Sequence, residues 1–275
     1  MTLHRAQADP PRVDILGVQV SAITIPRALD TISSWIAERK QRYVCITGAH
    51  GVMESQRNEA LRAIHNQAGL VTPDGMPLVW MSRLLGQPQT RRVYGPDLMR
   101  ALSALSAKRG YRQFYYGGDA GVADTLAAAL TQTYPGLDVA GTLSPPFRPL
   151  TNEEDLDIVD QINAAKPDIV WVGLSTPKQE YWMAAHVGRL DAPVLIGVGA
   201  AFDFLAGRKA QAPLWMQRNG LEWLFRLGQE PRRLFRRYLW IVPGFLIAAS
   251  GQLVRRAAST FRLRAAQRLR PPTIG

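Results

Sequence analysis

Cysteine is almost absent: Cys45 stands alone in 275 residues. One thiol excludes an intramolecular disulfide and fits a reducing compartment. Histidine is scarce too. The four present are scattered, so no Cys/His cluster has the spacing of a zinc site. The N-terminal stretch MTLHRAQADPPRVD holds no apolar run, and no secretion signal is expected there. No segment recurs at a period of roughly 20 to 50 residues, which excludes a solenoid or propeller. No GxGxxG fingerprint follows any candidate strand. The apolar run Leu239–Val254 has 16 residues, short of the ~20 needed to span a bilayer.

Acidic residues are missing from one end only. Residues 226–275 carry 11 arginines and a single acid, Glu230, a net charge of +10 out of +11. The chain is thus a nearly neutral body with a strongly basic tail. Such a tail seeks a polyanion, either nucleic acid or an anionic lipid surface. All its positive charge is arginine, whose planar fork suits phosphate.

What is present in the body is a regular alternation. Val13–Val20 reads as a strand or a strand pair around Gly17, after a loose arm over residues 1–12. Candidate strands follow at Tyr43–Thr47, Leu70–Thr72, Gln113–Tyr116, Leu137–Gly141, Asp168–Gly173 and Pro193–Val198. Helical spacing marks Ile25–Arg39, Gly51–Ala68, Asp97–Lys108, Val122–Thr133, Leu156–Ala165 and a helix from Gln179. Strands alternating with helices predict a parallel sheet covered on both faces, in a domain over residues 13–212. Ligands in such folds sit beyond the C-terminal strand ends. After Pro213 the chain turns aromatic, basic and helical, and residues 213–275 read as an amphipathic membrane-association appendage.

The unusual residues cluster at those strand ends. Asp74 lies in Thr72-Pro73-Asp74-Gly75-Met76-Pro77, where two prolines and a glycine fix the loop. A carboxylate held there can take a proton from an attacking hydroxyl; Pro-Asp-Gly is equally ordinary turn chemistry. Arg92 precedes Val93-Tyr94-Gly95-Pro96-Asp97 and could neutralise a diphosphate, while Asp97 reads as a helix N-cap. Gly117-Gly118-Asp119-Ala120-Gly121 opens a helix after a strand, as a phosphate-approaching turn does. Ser175, Thr176 and Glu180 are explained by capping; Lys178 with Gln179 is not. Asp155-Leu156-Asp157 has the form of a metal-binding DxD but sits in an acidic helix start, where acids favour the macrodipole. His50, near a strand end, reads as a structural histidine.

Five blocks in order resemble the WecG/TagA/CpsF glycosyltransferases: TPDGMPLVW (72–80), RVYGPDLM (92–99), VGLSTPKQEYW (172–182), GVGAAFDFLAG (197–207) and APLWMQRNGLEWLFRLGQEPRRLFRRYL (212–239). The resemblance implies a Rossmann-like parallel sheet flanked by helices, of the type called GT-E, with a C-terminal helical membrane-association appendage. It implies inverting transfer of a hexose or N-acetylhexosamine from a UDP-sugar to a polyprenyl-diphosphate-linked saccharide, without a metal or other cofactor. The work would be done at the cytoplasmic face of the bacterial inner membrane, in cell-surface polysaccharide synthesis. By motif, Asp74 matches the base, Thr47, Arg92 and Gln179 match substrate contacts, and Arg226, Arg233 and Arg236 match arginines that close over the UDP diphosphate. Members without the appendage associate, so a homo-oligomer is among the expectations. One departure stands out. Many members carry T-x-N after the early strand, and here Thr47-Gly48-Ala49-His50 lacks the Asn, which leaves the donor sugar open.

On this reading the tail divides. Arg226, Arg233 and Arg236 serve the site, and Arg255, Arg256, Arg262, Arg264, Arg268 and Arg270 face lipid. At ~1 kcal/mol per basic residue near an anionic surface, that binding is useful and reversible. Two other readings compete: a nucleotide-dependent Rossmann-like enzyme of another class, and a nucleic-acid-binding protein whose Phe225, Phe235, Tyr238 and Trp240 stack on bases. The basic-free apolar run Leu239–Ala249 argues against the second.

Overall fold

The computed structural model describes residues 9–268. A hairpin comes first, β1 (Arg12–Ile15) paired antiparallel with β2 (Val18–Ser21) around Leu16-Gly17. Of the arm expected over 1–12, Pro11 and Arg12 are tied down. The Pro11 carbonyl accepts from Ala22 N–H at 2.8 Å, and Arg12 donates to the Gly69 carbonyl at 2.8 Å. Residues 1–8 lie outside the described residues.

The body alternates as the sequence predicts. In order come α1 (Ile25–Ala37), β3 (Arg42–Thr47), α2 (Ala49–Arg57), α3 (Glu59–Gln67), β4 (Leu70–Pro73), α4 (Met76–Leu84) and α5 (Gly95–Arg109). Then follow β5 (Arg112–Gly117), α6 (Val122–Thr133), β6 (Asp138–Leu143), α7 (Asn152–Ala164), β7 (Ile169–Gly173), α8 (Lys178–His186), β8 (Val194–Gly197) and α9 (Ala201–Leu205). Six strands form one parallel sheet in the order β4-β3-β8-β7-β5-β6. This is the Rossmann-like architecture expected.

Period-two alternation builds two cores, one on each face of the sheet. Tyr43, Cys45, Val71, Tyr116 and Val172 point one way, against α2, α4, α7, α8 and the hairpin. Val44, Ile46, Leu70, Tyr115 and Trp171 point the other way, against α1, α5, α6 and α9.

Three local expectations change. The single helix expected over Gly51–Ala68 is two, because Asn58 leaves helical geometry and its side chain caps α3 through Leu61 N–H at 2.9 Å. Asp97 is not an N-cap: α5 begins at Gly95, and Asp97 pairs with Arg100 at 3.2 Å. The helix expected from Leu214 to Leu227 breaks at Gly220 into α10 (Leu214–Arg218) and α11 (Glu222–Gln229).

The appendage ends in one long helix, α12 (Pro231–Arg268), which runs through Pro243. Its 26-residue stretch Leu234–Ser259, which contains the 16-residue apolar run Leu239–Val254, is long and apolar enough, by length and composition, to cross a membrane. One face is buried on the body at Leu234, Ile241, Phe245 and Ala249, spaced as one helical stripe. Burying each of the larger three contributes ~1.5–3 kcal/mol. Arg57 of α2 lies 3.5 Å over the Trp240 ring, and Gln252 donates to the Asp14 carbonyl of the hairpin at 2.8 Å. The opposite face leaves Phe235, Leu239, Leu246, Ile247 and Val254 exposed. The side chains of Arg233, Arg262, Arg264 and Arg268, and all of Arg270, lie outside the described residues.

The close approach of β5 and β7 at their C-terminal ends depends on glycine. Gly117 has φ +124°, and a Cβ there would stand 2.7 Å from the Gly173 carbonyl oxygen. Gly110 also has positive φ, +71°, but open space beside it. We expect Gly117→Ala to lower unfolding free energy by about 3 kcal/mol or more, and Gly110→Ala by about 1 kcal/mol. Urea midpoints of the two variants check the difference.

Candidate active site

A cleft of about 610 Å³ opens at the C-terminal ends of the strands. Its lining comes from the loops after β3, β4, β5, β6, β7 and β8, with Arg226 of α11 and Arg237 of α12 closing one side. The structure therefore brings Thr47, Asp74, Gln179 and Arg226 to one place.

Asp74 is held from three directions. Its N–H donates to the Thr47 carbonyl at 3.0 Å, tying the loop to β3. The Val93 N–H donates to the Pro73 carbonyl at 2.9 Å, tying it to the segment before α5. Its carboxylate accepts from the Gly95 N–H, the first residue of α5. A helix start offers unsatisfied N–H groups and favours negative charge. Burial nevertheless dominates and pushes the Asp74 carboxyl up to about 6. Arg92 opposes that rise, Glu222 adds to it, and Arg226 and the Gly95 N–H oppose it. Asp74 is not a hairpin turn: Gly75 leads straight into α4, with Pro77 in its first turn.

Thr47 and Gln179 complete the floor. Each is 2% exposed. Among the described residues, Thr47 Oγ1 and Gln179 Oε1 have no hydrogen-bond partner, which is uncommon for buried polar atoms. The Gln179 amide donates to Glu180 Oε1 at 3.2 Å, and Thr176 donates to the same oxygen at 2.9 Å. Glu180 is thus a buried support and not a cap; burial raises its carboxyl.

Arg92 sits beside the cleft and does not line it. Its Nε donates to the Asp74 carbonyl, Nη1 to Gln217 Oε1 at 3.1 Å and Nη2 to Glu222 Oε2 at 2.5 Å. Its guanidinium lies 4.0 Å over the Tyr94 ring. Burial works against its charge, but Asp74 and Glu222 outweigh burial and hold its pKa up.

The appendage arginines divide differently from the motif match. Arg226 and Arg237 line the cleft, and Arg236 is exposed outside it. The turn at Glu230 breaks the helix between Arg226 and the α12 arginines, so a seven-residue spacing does not carry one face across. Arg237 lies one turn beyond Arg233 on the same helix, the only hint that the sequence offers for it. Among the described ion pairs, neither Arg226 nor Arg237 has a carboxylate partner. Lys209, also in the lining, is taken by Asp203 at 2.9 Å.

His50, read as structural, also lines the cleft, in the first turn of α2. Burial, then Arg237 and Arg226, push it down to about 4, so it is neutral at pH 7. The DxD-like Asp155 is occupied: it accepts from Arg189 at 2.7 Å and meets His186 Nε2 at 2.9 Å. Among the described residues, no three His, Cys, Asp or Glu side chains converge on one point. Tyr238 packs edge-on against Trp223 at 5.8 Å and Arg57 covers Trp240, so two of the four aromatics proposed for base stacking are engaged.

Comparison with known proteins gives a family. The sequence model of the family described as "Glycosyl transferase WecG/TagA/CpsF family" matches residues 13–259. Two similar proteins are from Staphylococcus aureus, strains MW2 and NCTC 8325, each named N-acetylglucosaminyldiphosphoundecaprenol N-acetyl-beta-D-mannosaminyltransferase. Each is 28% identical over 255 residues, covering 91% of this chain and 98% of the relative.

Proposed function

Because the chain belongs to the WecG/TagA/CpsF glycosyl transferase family, we propose that this glycosyltransferase moves a hexose or N-acetylhexosamine from a UDP-sugar to a polyprenyl-diphosphate-linked saccharide, with inversion and without a metal. The observation that carries the reading is Asp74: a carboxylate lifted to about 6, in a cleft walled by Arg226 and Arg237.

In the reaction, Asp74 takes the proton from the acceptor hydroxyl. That oxygen forms a bond to the anomeric carbon as the bond from this carbon to the UDP oxygen breaks. The electron pair leaves on the diphosphate, and one displacement inverts the centre. Arg226 and Arg237 face the charge that develops, which fixed cations stabilise without a metal. A carboxyl with a pKa near 6 is mostly ionised at pH 7, yet more basic than an exposed aspartate. Thr47 and Gln179 offer their unpartnered oxygens to sugar hydroxyls. His50, neutral and lining the cleft, follows Ala49, the position where the T-x-N pattern has Asn, and bears on which sugar fits: ManNAc, ManNAcA or glucose type. The Staphylococcus aureus relatives are named for a polyprenyl-linked N-acetylglucosamine acceptor, which supports that acceptor class here.

A lipid acceptor requires work at a membrane surface. The exposed apolar face of α12, with Arg255 and Arg256 exposed beyond it, supports a helix lying in the interface, since its other face is occupied by the body. One experiment covers donor, acceptor and surface. The protein is incubated with a panel of UDP-sugars and anionic liposomes carrying a polyprenyl-diphosphate N-acetylglucosamine, with and without EDTA. UDP release should need one matching donor and the acceptor, survive EDTA, and accompany flotation of the protein. Absence of transfer with every UDP-sugar would overturn the reading, and binding to DNA but not liposomes would overturn the membrane part.

A further inference from the structure

The Arg92–Glu222 pair has a role that the motif match does not assign. Arg92 belongs to the body, and two of its three side-chain partners belong to the appendage: Gln217 on α10 and Glu222 on α11. The third is the main-chain carbonyl of Asp74 itself. Both ends of the ion pair are largely shielded, with side chains 15% and 17% exposed, so solvent screens the pair weakly. The guanidinium is further fixed over the Tyr94 ring. A planar fork held by three acceptors and one ring has a single orientation. Gln217 is itself anchored, donating to the Ala212 carbonyl at 2.7 Å.

Glu222 also shares a helix with a cation of the cleft. Arg226 follows it by four residues in α11 (Glu222–Gln229), one turn on and on the same face. The helix that grips Arg92 therefore presents Arg226 to the cleft. We infer that Glu222 is a positioning residue: it clamps Arg92 against the main chain of the Asp74 loop, so that seating α11 fixes the base and brings Arg226 to the cleft together. The inference rests on the transferase reading for its consequence, though not for its geometry.

The clamp has an electrostatic signature. The charged and titratable groups acting on Asp74 are Arg92, Glu222 and Arg226, with the Gly95 N–H; Tyr94 stands beside them, and His50 and Arg237 line the same cleft. Among these groups Glu222 favours protonated Asp74. Removing that charge must lower the Asp74 pKa and move the acid limb of activity to lower pH. A pair that only stabilised the fold would reduce the amount of active enzyme and leave the limb in place.

The test uses the full chain with Glu222→Gln, Glu222→Ala, Arg92→Ala and the Arg92→Ala/Glu222→Ala double variant, each first checked for folding by its thermal transition. Two readouts are taken: the pH profile of kcat/KM, and amide hydrogen exchange over residues 71–76 and 214–229. Glu222→Gln should shift the acid limb to lower pH. Glu222→Ala should lower kcat/KM at least ~10-fold, the scale of a lost charged hydrogen bond, and speed exchange in both segments. The double variant should be no worse than the poorer single one. Multiplying losses in the double variant, or an unmoved acid limb with unchanged exchange over 71–76, would overturn the clamp. If wild-type protein transfers no sugar, the transferase reading fails while the exchange data still decide the clamp. If Glu222→Ala does not fold, Glu222→Gln decides it through both readouts.

Discussion

Asp74→Asn should lower kcat by ~10² to 10⁴-fold, the range for loss of a positioned general base, with much less effect on the donor KM. The amide has the carboxylate's shape and can still accept from the Gly95 N–H at the start of α5. What it loses is the proton-accepting charge. The same change should leave stability intact or improve it at pH 8. Burial raises the folded carboxyl from 3.8 to about 6, so the folded state holds the proton more tightly than the unfolded chain. That contribution to stability is fully present below pH 3.8 and is lost as pH rises through about 6. Above that, the buried charge costs up to about 3 kcal/mol relative to a neutral group. The melting temperature of Asp74→Asn relative to wild type should therefore rise between pH 5 and pH 8. Wild-type kcat/KM should fall on the acid side with a midpoint near pH 6. A variant that turns over at the wild-type rate would remove Asp74 as the base.

The loop around Asp74 was legible because its signals are local. Pro73, Gly75 and Pro77 restrict the backbone themselves, and the preceding apolar run could only be a short buried strand. The strand-end rule then placed Thr47, Asp74 and Gln179 at one edge without any contact being known. α4 was not legible. Met76-Pro77-Leu78-Val79-Trp80 is a short apolar run, and such runs do not distinguish helix from strand. Asn58 is also ambiguous: in a helical pattern it is tolerated, and only its capping of α3 decides for a break. The partners of Arg92 were beyond reach in another way. Glu222 is 130 residues away, and nothing in GLEWLFRL says which side chain meets which. The arginine face of α12 is set by contacts just as distant in sequence. Whether Arg236 or Arg237 enters the cleft depends on how α12 crosses α2, and that crossing is set by the Trp240–Arg57 and Gly244–Met53 contacts. Pro243 would ordinarily end a helix. Here it is exposed on α12, while Ile241 and Phe245 on either side of it are buried against the body. Packing holds the helix through it.

Arg226→Ala with Arg237→Ala should lower kcat/KM by ~10³-fold or more, each alone by ~10²-fold, as for other groups that meet developing charge. The loss should appear in kcat as well as in donor affinity, because the diphosphate gains charge as its bond to the sugar breaks. Free UDP should bind more weakly to the double variant, measured by calorimetry, since UDP already carries the charge that the arginines meet. The basic tail predicts a contrast. Flotation with anionic liposomes should persist, because the exposed apolar face of α12 and Arg255 and Arg256 are untouched. Arg236→Ala, outside the cleft, should reduce turnover by less than ~3-fold, the scale of a surface charge. His50 should also respond: with Arg226 and Arg237 gone, only burial holds its pKa down, so its pKa should rise, which imidazole proton resonances would follow. A double variant with full turnover would place the leaving diphosphate away from Arg226 and Arg237. The charge compensation would then have to come from the rest of the lining, where Lys178 lies 4.8 Å over the Phe147 ring and Arg148 is paired with Glu154.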